Sequence, residues 1–508
     1  MKHIVFAAVI PVVGMLAACG TKTRQGATGV TQPTEAGPME PTELQVVNDP
    51  SRRWGELQIA VNPKNPNNIA YADVGLNYTY ACQNAHDPNC DVVQAHISGV
   101  GSFAIPQAQG FFTKSDFSIV SVFASSDQGK TWQRSNLPAY PAGFPALRIQ
   151  GDPSLTAGPD GTFYASWDAL NWGTTQNALP SAGVAVSKST DGGRTWSDPV
   201  LSGTPVDGPK ITADLITGTV YEASSGGLGP KSTGDPNASQ GQVTTRWLVS
   251  STDGVHWTTP QPMGGQGSYM SAAYGMLATA FSTSAQASLF SQANNDLCDS
   301  APAPCTIFQT TTDSGVTWSR HAMAVPSPSN SFPGAIIAAD PSKQGRFAVG
   351  LLAQSEGEFH VYQTSDAGST WTGPAIVTED ATKPHFHGYL AYSRQGVLGL
   401  IWRSWQGAPP GQAVQAGPFA GSTSTYYPYN TWAAMSRDGG GTFSQPLKIS
   451  RADSPAPQSG QFGNAGDDFS GLALEGEYVY AGWADWRPGE RSGYFSAARL
   501  DAFKPSSH

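Results

Sequence analysis

The sequence predicts an all-β fold built from repeated four-stranded sheets, and three observations predict it. A motif of the form Ser/Thr-x-Asp-x-Gly-x-Thr-Trp returns along the chain at 125–132 (SSDQGKTW), 189–196 (STDGGRTW), 311–318 (TTDSGVTW) and 364–371 (TSDAGSTW). Residues 436–443 (SRDGGGTF) carry Phe for Trp, and 251–257 (STDGVHW) is one residue short. The steps between successive motif Asp residues run from 53 to 72, and a fixed motif with variable spacing marks a repeat architecture whose insertions fall in loops. Between the motifs lie short runs of alternating small, β-branched and aromatic residues, bounded by Gly, Asp, Pro, Asn and Ser, as strands require.

The motif describes a tight hairpin. Its Asp accepts hydrogen bonds from backbone N–H groups further along, its Gly supplies the positive φ of the turn, and its aromatic residue plugs the turn between neighbouring sheets. Asp127, Asp191, Asp253, Asp313, Asp366 and Asp438 are therefore read as scaffold. These copies resemble the Asp-box (BNR) repeats of sialidase-like β-propellers, over roughly residues 57–500. The resemblance implies a disc of blades, each of four antiparallel strands A to D from the axis outward, with the Asp box at the C–D turn. Such propellers include enzymes and non-catalytic proteins, so function must be argued from the site.

The start of the chain reads as an address. Residues 1–18 have a basic start at Lys2 and His3, then an apolar run at 4–15, then Leu16-Ala17-Ala18 before Cys19. This is a secretory signal whose ending resembles the lipobox of bacterial lipoproteins; an ordinary signal peptide cut at Ala18 is the alternative. The lipobox reading implies cleavage before Cys19, a lipid on that residue, and a place in the bacterial cell envelope, membrane-anchored and facing periplasm or exterior. Residues 19–41, rich in Gly, Thr, Gln, Pro and Glu, read as a flexible tether, and 42–508 as one propeller domain. A net charge of −10 with no basic run argues against nucleic acid as partner. The remaining cysteines pair most simply as Cys82 with Cys90 and Cys298 with Cys305, in spacings unlike a zinc site. No metal or cofactor is expected beyond a structural Ca²⁺ held by loop Asp residues, and a monomer is expected.

Seven A–B hairpins can be read in order: 58–61 with 69–73, 154–157 with 162–168, 210–214 with 219–223, 270–273 with 276–281, 335–339 with 346–352, 389–392 with 397–403, and 470–474 with 478–485. The last repeat adds a C strand at 493–499 and then the chain ends. Its D strand is expected from the N-terminus, at 43–48 (ELQVVN), which closes the ring and removes two exposed sheet edges. This arrangement favours seven blades over six.

Strand direction puts the Asp boxes and A–B turns on one face, and the long B–C loops and D-to-A links on the other, where chemistry is expected. Strand ends on that face supply Asp168, Glu222 and Asp485 as candidate catalytic carboxylates, suited to acid and base or nucleophile work on a glycosidic bond. Arg403 and Arg487 are candidate grips for a substrate carboxylate, with His387, Tyr269, Trp167 and Trp405 as further substrate contacts. Each has a structural alternative: an Arg487–Asp485 ion pair, indoles packed between blades, a turn-forming Asp152 at the Gly151-Asp152-Pro153 corner. Glu222 is the least easily dismissed, because burial near the axis raises a carboxyl pKa as a general acid requires. The Arg-Ile-Pro motif of sialidases is not matched, since Arg148-Ile149-Gln150 lies after the first Asp box; two arginines rather than a triad fall at the mouth, and Tyr269 with Glu222 is the one Tyr–Glu candidate, on blade adjacency alone. Two readings remain: a glycoside hydrolase of acidic glycans, or a propeller that binds a glycan or protein without chemistry.

Overall fold

A computed structural model describes residues 41–50, 52–76, 92–97, 101–106, 118–138, 149–170, 181–204, 208–225, 246–263, 269–282, 305–326, 335–408, 427–456 and 470–506. The expected signal and tether, with Cys19, Cys82, Cys90 and Cys298, lie outside the described residues. Cys305 is disulfide-bonded.

Seven four-stranded antiparallel sheets form the blades of a ring. Blade 1 runs through Arg53–Asn62, Asn65–Leu76, Ser118–Ser125 and Gln133–Asn136 as strands A to D, and blade 2 through Ile149–Ala157, Phe163–Leu170, Ser181–Ser189 and Val200–Leu201. Blade 3 is Lys210–Ala213, Val220–Ser225, Arg246–Ser251 and Gln261–Pro262. Blade 4 is Tyr269–Ala273, Met276–Ser282, Thr306–Thr311 and Ser319–Met323. Blade 5 is Ala335–Ala339, Phe347–Leu352, Phe359–Thr364 and Thr372–Val377, and blade 6 is His385–Tyr392, Leu398–Trp405, Tyr429–Ser436 and Leu447–Lys448. Blade 7 takes A, B and C from Gly471–Glu475, Tyr478–Asp485 and Ser492–Arg499, and its D strand from Thr42–Gln45. The closing strand pairs Thr42 with Ala497 and Gln45 with Tyr494, so the N-terminal closure expected at 43–48 is present. Between strands B and C of blade 1 the chain forms an extra hairpin, Val92–Ile97 with Gly101–Pro106. Among the described residues the only helical segment is a single 3-10 turn at Leu500–Ala502.

Successive A strands touch around the ring, and strand A of blade 1 meets strand A of blade 7. The inner edge of an A strand has no neighbouring strand to accept its N–H groups, and unpaired backbone donors are costly. Side chains of the preceding blade supply the acceptors. Ser154 Oγ accepts from Ile211 N at 3.1 Å, Thr156 Oγ1 from Ala213 N at 3.1 Å, and Ser271 Oγ from Ala339 N at 2.9 Å.

Each copy of the Asp motif folds as a closed turn. Thr131 donates its N–H and hydroxyl to Asp127 at 2.9 and 2.6 Å, and Ser125 Oγ accepts from Gly129 N at 2.8 Å. The pattern recurs at Asp191, Asp313, Asp366 and Asp438, and His256 replaces the threonine at the short box of Asp253. The hydroxyls of Thr317 and Thr370, with their amides, hold Asp313 and Asp366 at about 2. Two of the motif indoles show how the turn meets the preceding blade: Trp371 lies 5.0 Å from Phe308 and Trp132 lies 5.0 Å from Phe495, both edge-on. Boxes and A–B turns share one face, since Asn68 Nδ2 donates to Gly192 O at 3.0 Å and Ala367 N to Gly345 O at 2.9 Å.

Candidate functional site

Three A strands carry the same irregularity at the end opposite the Asp boxes. The A–B register slips between Gly55 and Gln58 in blade 1, between Gly151 and Ser154 in blade 2, and between Phe386 and Tyr389 in blade 6. Each slip leaves one non-glycine residue left-handed: Glu56 at φ 63°, Asp152 at φ 46° and His387 at φ 49°. Bulges of this kind redirect a side chain, and strained non-glycine backbone concentrates at functional sites. All three residues bear chemistry.

Blades 1 and 2 are neighbours, and the bulges bring their two acids together. Asp152 N donates to Glu56 Oε2 at 3.2 Å, and Asp152 Oδ2 in turn accepts from Gly208 N of the next link at 3.1 Å. Both carboxylates are half-buried, neither sealed nor fully solvated. Asp168 stands across strands from Gly151 and is 2% exposed. On blade 3, Arg246 Nη2 donates to Gly208 O at 2.7 Å, which ties that link to the buried Glu222 beyond it.

Glu222 has no exposure. Burial pushes its carboxyl up to about 7, against downward pulls from the hydroxyls of Thr204 and Ser202 and from Arg246; Thr204 Oγ1 donates to Oε2 at 2.7 Å. A proton is therefore at hand for acid chemistry, but the Thr204 link covers the group, so a substrate does not reach it in this conformation. Further round, the Lys210 ammonium sits 6.0 Å from the Tyr269 ring centre. Tyr269 in turn meets Tyr389 of blade 6 edge-on at 5.4 Å, skipping blade 5, so these two rings cross the axial space.

The other expected site residues are placed in packing or latch roles. Trp167 and Trp405 have no exposure; Trp405 stacks on Phe386 at 4.1 Å and Trp167 lies in the core between blades 1 and 2, so neither offers a face to a sugar. A strand residue points to one side or the other by parity alone, and these indoles point between blades. Asp485 is consumed by Arg487, which donates Nε and Nη2 at 2.9 and 2.8 Å, and by Trp483 Nε1 at 3.0 Å. Arg487 also binds Glu43 of the closing strand at 2.6 Å, so it fastens the ring. Arg403 is fully buried and donates to Ser470 Oγ at 3.1 Å. His387 is 2% exposed.

Sequence reasoning missed two features. Glu56 lies upstream of the predicted strand 58–61, although Gly55-Glu56 and Gly151-Asp152 repeat a Gly-acid pair at equivalent positions. Glu379, in the link from blade 5 to blade 6, accepts from Trp402 Nε1 at 2.7 Å and pairs with His385 at 3.0 Å. Among the described residues no group of three or more His, Cys, Asp or Glu is arranged to hold a metal ion.

No family model matches this chain, and no curated protein matches it. Solved structures similar to it include a protein of unknown function from Dyadobacter fermentans, at 14% identity over 91% of this chain and 98% of that one, with a TM-score of 0.42. A NanB sialidase from Streptococcus pneumoniae is similar at 12% identity over 92% and 95% of the two chains, TM-score 0.40. An α-L-arabinofuranosidase of Fusarium graminearum is similar at 11% identity over 92% and 99%, TM-score 0.41.

Proposed function

We propose that the protein acts on an acidic glycan at the mouth of the ring, as a glycoside hydrolase whose working carboxylates are Glu56 and Asp152. One observation carries this reading: two half-buried acids on adjacent blades, with the Asp152 backbone N–H donating to the Glu56 carboxylate at 3.2 Å, each sit in a left-handed bulge uncommon outside glycine. Glycosidic bond cleavage needs two carboxyl groups flanking one bond. Asp168 and Glu222 are buried in strands B of blades 2 and 3. Lys210 and Arg246 supply positive charge on the same arc for a substrate carboxylate. The envelope location and the lipid on Cys19 belong to the same reading, and imply a mouth open to extracytoplasmic polymers.

The test is a screen of the protein against fluorogenic glycosides and acidic polysaccharides, beside Glu56→Gln and Asp152→Asn. Turnover that falls by about 100-fold or more in both variants, with glycan binding retained, is the expected result. A second reading, glycan binding without chemistry, is favoured by the Tyr269–Tyr389 pair across the axis and the sealed state of Glu222. Binding with no turnover of any substrate by the parent protein would select it.

A further inference from the structure

Away from the carboxylate arc, the mouth face carries a cleft of about 200 Å³ between blades 4 and 5. Its lining includes Pro326, Leu351, Leu352, Gln354, His360 and Tyr362. The end of strand B and the start of strand C of blade 5 form one wall, and Pro326, just past strand D of blade 4, forms the other. Parity along strand C explains the composition. Phe359 turns toward blade 6, where it stacks on His385, and His360 and Tyr362 turn the opposite way, toward the cleft.

We propose that this cleft is a binding subsite for one neutral sugar ring, separate from the carboxylate pair. The Tyr362 ring is 5% exposed, while its hydroxyl makes no hydrogen bond among the described residues and stays open to solvent. The cleft is lined by this residue, so a ligand there meets a phenol whose donor and acceptor are both available. The leucines and proline offer an apolar surface for the C–H face of a sugar, and Tyr362, His360 and the exposed Gln354 offer hydrogen bonds at its rim. The charge pattern sets the class. His360 Nε2 already faces Glu358 Oε2 at 3.3 Å, so among the described residues this wall presents no free cation and is matched to an uncharged ring. The volume lies below the roughly 300 Å³ at which sites for larger ligands begin, which limits the occupant to a single ring. If the hydrolase reading holds, the substrate carries a neutral residue across the ring from the acidic one; binding at the cleft does not depend on that reading.

The experiment is saturation-transfer NMR on the full protein with glucose, galactose, N-acetylglucosamine and xylose, and with glucuronic acid as the charged comparison. Tyr362→Phe and Gln354→Ala are measured beside the parent, and Val316→Ala, at an exposed position of an Asp-box hairpin on the opposite face, serves as a remote control. We expect at least one neutral sugar to bind in the millimolar range, with affinity about five-fold weaker in Tyr362→Phe, the weight of one neutral hydrogen bond. Val316→Ala should leave that binding unchanged. Three results overturn the subsite: no neutral sugar binds, the bound sugar is indifferent to both cleft variants, or glucuronic acid competes for the cleft as well as the neutral sugars do. Loss of turnover in the Glu56 and Asp152 variants bears on the hydrolase reading alone, so the two can fail separately.

Discussion

At the scale of single residues, Glu222 links burial to pH. The folded chain keeps a proton on this carboxyl up to about pH 7, whereas the unfolded chain releases it near the ordinary value of 4.5. The stability tied to that proton is complete below 4.5 and is lost as pH rises through about 7. Glu222→Gln keeps the shape and removes the titration. Its stability should change less between pH 5 and pH 8 than that of the parent, by roughly 3 kcal/mol, read from thermal unfolding at each pH. Parallel pH curves for the two proteins would show that the buried proton contributes nothing. Glu222 is legible in the sequence because a glutamate embedded in a strand of small and aromatic residues stands out from its neighbours. The indoles are not, since one residue of parity separates a sugar platform from an interblade plug, as Trp405 shows.

At the scale of elements, the Asp-box hairpins join turn geometry to interblade packing, and two glycines separate the contributions. Gly129 sits at φ 82°, and a Cβ there would lie 2.2 Å from the Phe495 ring of blade 7. Gly476 has a similar left-handed backbone at φ 59° with nothing within 4 Å. Gly476→Ala should therefore cost about 1 kcal/mol from backbone conformation alone, and Gly129→Ala about 3 kcal/mol, because the ring must also move. Equal denaturant midpoints for the two variants would show that the box is a turn and not a plug. The A–B hairpins are legible to within a few residues, but strands A of blades 1 and 2 begin earlier than predicted, at Arg53 and Ile149. The reason is the bulge: one extra residue inverts the in–out alternation, so the pattern breaks while the pairing continues. That inversion also hides Glu56 as a partner of Asp152.

For the whole molecule, closure depends on a four-residue N-terminal strand and the ion pair that holds it. The Glu43 side chain is 5% exposed and bound to Arg487 at 2.6 Å. Glu43→Ala should lower stability by about 2 kcal/mol, less than the loss expected for a fully orphaned charge, because Asp485 still pairs Arg487. Equilibrium unfolding in denaturant measures it, and a variant as stable as the parent would mean that the strand alone closes the ring. Seven blades are legible because the A–B pairs outnumber the Asp boxes by one, and a surplus hairpin needs a D strand from elsewhere.

That borrowed strand also fixes an order of events. Thr42 bonds to Ala497 across a sequence separation of 455, so a chain growing from its N-terminus carries an unpaired segment until the strand around Ala497 has been made. Bringing such distant ends together costs roughly 5 kcal/mol of chain entropy, far more than any hairpin within a blade. The six blades complete in themselves can therefore mature locally and early, and the seventh waits as an open edge. The slow step in acquiring the native topology should be docking of Thr42–Gln45.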